Sequence, residues 1–312
     1  MPVNMVAAVL VLCQRFMTPF SKPENFASGH QPTPAALRRV SVCADDFAVN
    51  SSASSGIAKL AALGRLSATS VMVLSPRWAV DVALLSELRG RIDVGLHLDW
   101  TSEFAVATGH GMSLGAAMAR ALLGRFGRES VQPVIERQLD LFEAHWQAPP
   151  DYVDGHQHVQ QFAGIREALL ALLAQRYGKQ TVKPYLRVSR SPPGLADLKS
   201  RVIAKMGANA IESIARSQGI YCARGLFGIY DFAGDGRRYA ALMRRWLSSV
   251  PSGAIIMCHP ALAAEPGDVI GSARVQEYRY LASRAFADDL RHAGVALVRG
   301  GELAASLESA GA

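Results

Sequence analysis

With 312 residues, half of them apolar, the chain is long enough to bury a sizeable core, and 19% charged with 7% aromatic residues excludes global disorder and a fibrous chain. The net charge is +7, yet the 33 Lys and Arg are scattered. The densest groups, Arg38-Arg39, Arg237-Arg238 and Arg244-Arg245, are too short for a nucleic-acid tract, so no nucleic-acid partner is expected. The cysteines Cys13, Cys43, Cys222 and Cys258 lie far apart without a Cys-x-x-Cys, which excludes a disulfide framework and a zinc finger and fits a reducing, cytoplasmic compartment.

From the N-terminus, the apolar run Met5 to Cys13 falls short of the ~20 residues that span a bilayer, and it lacks the flanks of a cleaved signal. No stable membrane insertion is expected. Residues Ser21 to Ala36 are rich in Pro, Ser and Gly. We read 1–36 as a poorly ordered leader, with a signal peptide as the alternative, and 37–312 as a single domain.

Past Arg39, strand-like and helix-like segments alternate. Val40 to Cys43 is a β-branched run ending in Ala44-Asp45-Asp46; Asn50 to Leu63 has helical apolar spacing, with Asn50 or Ser51 as N-cap. Thr69 to Leu74 reads as strand, Trp78 to Leu88 as helix and Asp93 to Trp100 as strand. Residues 101–130 are Gly-rich and read as an irregular loop. Helix returns over Val131 to Trp146, strand over Tyr152 to His158, helix over Gly164 to Tyr177 and strand over Tyr185 to Ser189. Leu195 to Gln218 reads as helix, Phe227 to Phe232 as strand, Arg237 to Ser248 as helix, Ala254 to Cys258 as strand, Arg274 to Ala293 as helix and Ala296 to Val298 as strand. Serial β-then-α units predict an α/β fold, a (β/α) barrel-like sheet of seven or eight parallel strands. No Gly-x-Gly-x-x-Gly turn follows the first strand, which argues against an open dinucleotide-binding sheet.

Polar residues collect at the ends of these strands. Asp45 and Asp46 end the first, His97 stands near the end of the third, His156 and His158 end the next, and His259 follows Ile255 to Cys258 directly. In a (β/α) barrel the C-terminal strand ends converge on one face, where the active site lies. Each residue alone has an ordinary reading: a helix cap for the acids, a hydrogen-bonded core residue for His97, a strand terminator for His259. Together they suit a divalent ion with positions left open for activating water. His156 and His158, two apart on a strand, share a face, so both imidazoles could reach one ion. The paired acids suggest that Asp46 binds the metal and Asp45 accepts a proton from the attacking water. His259, at the opposite rim, could deliver a proton to a departing nitrogen.

Four motifs, Ala44-Asp45-Asp46-Phe47, Gly95-Leu96-His97-Leu98, Asp154-Gly155-His156-Gln157-His158-Val159 and Met257-Cys258-His259-Pro260, resemble in order and spacing those of the YdjC-like carbohydrate deacetylases, a group that includes chitooligosaccharide deacetylases and proteins associated with hopanoid biosynthesis. The resemblance covers approximately residues 38–300. It implies a barrel related to the polysaccharide deacetylases, an N-acetylated carbohydrate as substrate, and hydrolysis of its N-acetyl group. It also implies magnesium as the ion, held by Asp46, His97 and His156, with Asp45 as base and His259 as acid. Two imidazoles suit zinc, cobalt or manganese as well. The chain departs from the family pattern at Ala48, where Asp-Asp-Phe-Gly is usual, and at Gln160, where His-Val-His is common. An alanine at position 48 would be strained if φ there is positive. The competing readings are a metal-dependent phosphoesterase on a similar barrel and a non-catalytic sugar-binding protein; homo-oligomerisation is left open.

Overall fold

The computed structural model describes residues 36–191 and 198–308. The leader read at 1–36 therefore lies, apart from Ala36, outside the described residues, as does the start of the helix read from Leu195.

Seven parallel strands form a curled half-barrel with helices around it: β1 (Arg38–Phe47), β2 (Ala68–Val71), β3 (Asp93–Leu98), β4 (Tyr152–Gly155), β5 (Tyr185–Leu186), β6 (Leu226–Phe227) and β7 (Ile255–Cys258). Their order is β5-β4-β3-β2-β1-β7-β6. An eighth strand, β8 (Val295–Leu297), pairs with the start of β1, Arg38 opposite Val295. Between the two edges, Leu186 bridges in parallel to Cys222, and the Leu226 N–H donates to the Arg190 carbonyl at 2.8 Å.

Two-residue alternation sorts the core into two layers. Val40, Val42 and Ala44 of β1 face the surrounding helices. Cys43 faces inward, with Tyr152, Tyr185, Leu226, Ile255 and Met257 in a second cluster. Tyr152 and Tyr185 stack there at 5.0 Å. Gly95 is required beside them, because a Cβ at that position would stand 2.5 Å from the Tyr152 ring. Cys43 and Cys258 are both buried, as their apolar neighbours suggest. Among the described residues no helix is long and apolar enough to cross a membrane.

The strands read to Ser189 and Phe232 stop at Leu186 and Phe227, the helix read over Trp78 to Leu88 is 3-10 from Val82 on, and four further segments differ from the sequence reading. Residues 101–130 hold two helices, Glu103–Ala107 and Leu114–Leu122, each opened by a serine side chain, Ser102 and Ser113, that accepts from backbone N–H groups. Their brevity hides any period, and of the glycines that suggested a loop only Gly115 falls inside a helix, while Gly109 (φ 86) and Gly124 (φ 63) stand outside both. The helix read over Leu195 to Gln218 is, where described, two helices, Leu198–Lys205 and Ala208–Ser217, parted at Gly207 with φ 137. Arg274 to Ala293 is likewise two helices, Gly271–Ala282 and Arg284–His292, because Ser283 turns extended and caps the second. The strand read over Tyr152 to His158 stops at Gly155, and His156–Gln161 forms a 3-10 turn.

Candidate active site

On a regular strand, neighbouring side chains face opposite sides, so Asp45 and Asp46 should not share a mouth. Here the register between β1 and β2 shifts between Ala44 and Phe47, and Asp46 takes φ 65. This irregularity turns Asp46 back, and both carboxylates line one cavity of about 1020 Å³. Ala48 also takes positive φ, 71°, so the alanine carries the left-handed strain that its sequence context raised, worth about 1–2 kcal/mol.

The same cavity receives His97, His156, His158 and His259. Ligand atoms of Asp46, His97 and His156 all lie within 4.8 Å of one another. Asp46 Oδ1 stands 3.4 Å from His97 Nε2 and 3.2 Å from His156 Nδ1. His97 on β3 is the register partner of Asp154 on β4, and its Nδ1 meets Asp154 Oδ1 at 2.6 Å. That contact fixes the ring with Nε2 toward Asp46. Burial would lower the His97 imidazole, but Asp154 and Asp46 push it up to about 10. The pocket thus favours positive charge at Nε2, which a divalent ion supplies as well as a proton does. The donor set, one carboxylate oxygen and two imidazole nitrogens, fits such an ion.

Cys43, Asp45 and Asp154 form a second close group, but a cation already stands among them. Arg187 reaches Asp45 Oδ1 at 2.5 Å, Asp45 Oδ2 at 2.7 Å and Asp154 Oδ2 at 3.0 Å. All three side chains are almost wholly buried. Burial pushes Asp45 up, but Arg187, His97 and His259 together outweigh it and hold the carboxyl well below the usual range. Asp46 behaves alike: against burial, Arg274 and the two imidazoles keep it anionic. Arg274 donates from one terminal nitrogen to Asp46 Oδ2 at 2.7 Å.

His259 stands across from Asp45, with Nε2 3.9 Å from Asp45 Oδ2 and its ring edge-on to Phe232. Its backbone N–H donates to Glu277 Oε2 at 2.5 Å, and Glu277 also accepts from Tyr230 at 2.6 Å. Burial pushes the His259 imidazole down to about 4, so it is neutral near pH 7. His158 does not share a strand face with His156. It sits in the turn after Gly155 with φ 65, and its Nδ1 meets Ser189 Oγ at 2.9 Å. Glu103, Leu114 and Met118 from 101–130 and Val202, Ile203 and Met206 from the 190–230 region line the same cavity.

Sequence reading assigned no role to Asp154, Arg187, Arg274 or Glu277. Arg187 left a signal, a charge at an inward position of an apolar strand. Arg274 and Glu277 left none, since a charged pair on a helix ordinarily faces water.

Among curated proteins no relative matches the sequence. Among solved structures, the chain is similar to a proposed cellobiose-phosphate cleavage protein from Enterococcus faecalis V583, at 18% identity over 86% of this chain and 99% of that one, with a TM-score of 0.62. A family 4 carbohydrate esterase from Streptomyces lividans in complex with acetate matches at 12% identity over 85% and 93%, with a TM-score of 0.40. The Xyl-CE4 domain of a multidomain xylanase from the hindgut metagenome of Trinervitermes trinervoides matches at 13% over 88% and 92%, with a TM-score of 0.44. Residues 39–292 match the family model described as YdjC-like protein, and the chain belongs to that YdjC-like family.

Proposed function

We propose that this protein is a metal-dependent hydrolase that removes the acetyl group from an N-acetylated sugar or oligosaccharide. The observation that carries this reading is the convergence of Asp46, His97 and His156 on one point, with Asp45 and His259 flanking it in a single cavity. A divalent ion held by the three ligands would acidify water and polarise an acyl oxygen. The chain's residues do the rest. Arg187 holds Asp45 anionic and in place, so its carboxylate accepts a proton as the water attacks the amide carbon. A carboxylate held that low is a weak base, so it depends on the ion's help with the water. His259 is neutral, and the proton it gives to the departing sugar nitrogen comes from Asp45 by way of a bridging water, since the 3.9 Å gap between them is too long for direct transfer. Protonation of that nitrogen releases the amine and leaves acetate. Zinc, cobalt, manganese and magnesium are all compatible with the donor set, zinc and cobalt best.

The test is acetate release from N-acetylglucosamine oligosaccharides by metal-stripped protein reloaded with each ion in turn. Release that depends on the ion supports the reading. Hydrolysis of p-nitrophenyl phosphate without acetate release would replace it with a phosphoesterase. Sugar binding without turnover under any metal would replace it with a non-catalytic sugar-binding protein.

A further inference from the structure

We infer that Arg274 is a positioning residue that restricts Asp46 to a single free oxygen, and so sets how many positions an ion in this site keeps open. The inference rests on the metal reading of Asp46, His97 and His156. The bulge at Asp46 aims its carboxylate at the cavity but leaves the final side-chain torsion undetermined, because rotation about a carboxylate is soft. Arg274 fixes it. One terminal nitrogen holds Asp46 Oδ2 at 2.7 Å, while Oδ1 alone faces His97 and His156 at 3.4 and 3.2 Å. The guanidinium is itself pinned: its Nε donates to Asp268 Oδ2 at 2.8 Å, and the side chains of Arg274 and Asp46 are only 5% and 3% exposed. A planar fork with two usable edges serves two carboxylates at once in a fixed geometry, which a freely rotating ammonium does not impose. Backbone contacts link the same helix to the other side of the site, since the Ala261 N–H donates to the Arg274 carbonyl at 3.1 Å, two residues past His259.

A carboxylate with both oxygens free can chelate, taking two positions on an ion. With Oδ2 engaged, Asp46 offers one, and with the two imidazoles fills three. The remainder stays open for water and an acyl oxygen, which hydrolysis needs. The positive charge of Arg274 also lies close to the ion and opposes its binding. Removing Arg274 should therefore impair turnover without weakening the ion's hold, a combination that loss of a merely structural contact does not produce.

The experiment compares wild type, Arg274→Gln, Arg274→Lys and Asp268→Asn, each stripped of metal and titrated with Co²⁺. The readouts are the Co²⁺ visible spectrum, the Co²⁺ Kd, and kcat and KM for acetate release. For Arg274→Gln the expected results are a Kd equal to or tighter than wild type and weaker d–d bands as coordination number rises. Its kcat should be lower by about 10–100-fold, the range for lost support of a ligand, with KM little changed. Arg274→Lys, which keeps the charge and one donor, should recover part of both spectrum and kcat. Asp268→Asn, which loosens Arg274 without removing it, should shift them less in the same direction, and it provides the reading if Arg274→Gln does not fold. An unchanged Co²⁺ spectrum and kcat in the folded variants would overturn the inference. Failure of wild type to bind Co²⁺ would instead sink the metal reading, and the inference with it.

Discussion

His97 and Asp154 stand opposite each other in the register of two parallel strands, and their 2.6 Å contact decides which imidazole nitrogen is left to face Asp46. The contact needs no loop or ordered turn, since adjacent strands place register partners side by side on one face. A histidine ligand supported by a carboxylate is better oriented and more basic than one facing water. Asp154 also shares Arg187 with Asp45. The layer beneath the site is therefore one connected set of charges, and each member's effect passes through its neighbours.

Asp154→Asn should lower metal affinity by about 10–100-fold while leaving the fold intact, since the amide keeps the size and one hydrogen bond but loses the charge. The measurement is metal Kd by competition with a chelator. An affinity equal to wild type would show that Asp46 and the ring packing orient His97 by themselves.

Arg187→Met should be strongly destabilising. It leaves the buried carboxylates Asp45 and Asp154 without their cation, and removing one partner of a buried ion pair costs about 3–5 kcal/mol. Pairing the change with Asp45→Asn should recover part of the loss, because one of the stranded charges is then gone. Denaturant midpoints of the two single variants and the double variant measure this. A single variant within about 1 kcal/mol of wild type would mean that water or rearrangement replaces the guanidinium.

Much of this geometry was legible before the fold was known, and the reason is positional. Asp45, Asp46, His97, His156 and His259 all stand at or just past the C-terminal ends of strands, and strand ends can be read from runs of apolar residues. The supporting residues could not be read in the same way. Asp154 acts through cross-strand register, and Arg274 lies on a helix at 228 positions from the carboxylate it holds. Neither relation leaves a local period. The paired acids show a different limit: two-residue alternation predicts that Asp45 and Asp46 face apart, and only the irregularity at φ 65 brings them together. His158 failed for the converse reason, because strand alternation was extended past Gly155 into a turn.

Asp45→Asn and His259→Ala separate base from acid. Asp45→Asn should retain metal and lose about 10²–10⁴ in turnover. His259→Ala should retain metal too, but lose less on an N-acetyl anilide, whose departing nitrogen needs less protonation than a sugar amine. Loss of metal from Asp45→Asn would make Asp45 a ligand instead of the base. An equal deficit of His259→Ala on both substrates would assign His259 to binding.

The far end of the barrel offers a pH-dependent test remote from the chemistry. Asp151 precedes β4 and accepts from the Val94 N–H at 2.7 Å. Burial, reinforced by the nearby Asp93 carboxylate, pushes its carboxyl up from 3.8 to about 6, against the opposing pull of the Val94 N–H, Arg299 and Arg89. The folded state thus binds a proton more readily than the unfolded one. By linkage, this group costs stability at pH above about 6 and ceases to do so as pH falls toward 4. A shift of this size corresponds to at most about 3 kcal/mol, at ~1.4 kcal/mol per unit. Asparagine keeps an acceptor for Val94 and carries no charge, so Asp151→Asn should raise stability at pH 8 by about 1–3 kcal/mol, or ~2–4 °C in Tm per kcal/mol. The gain should fade between pH 6 and 4, where wild type becomes protonated. Comparing the two proteins at each pH cancels the titration of every group that is not coupled to Asp151, as its neighbour Asp93 is. A stability difference that stays constant from pH 8 to pH 4, or a variant less stable than wild type at pH 8, would show that Asp151 is not strained by its charge.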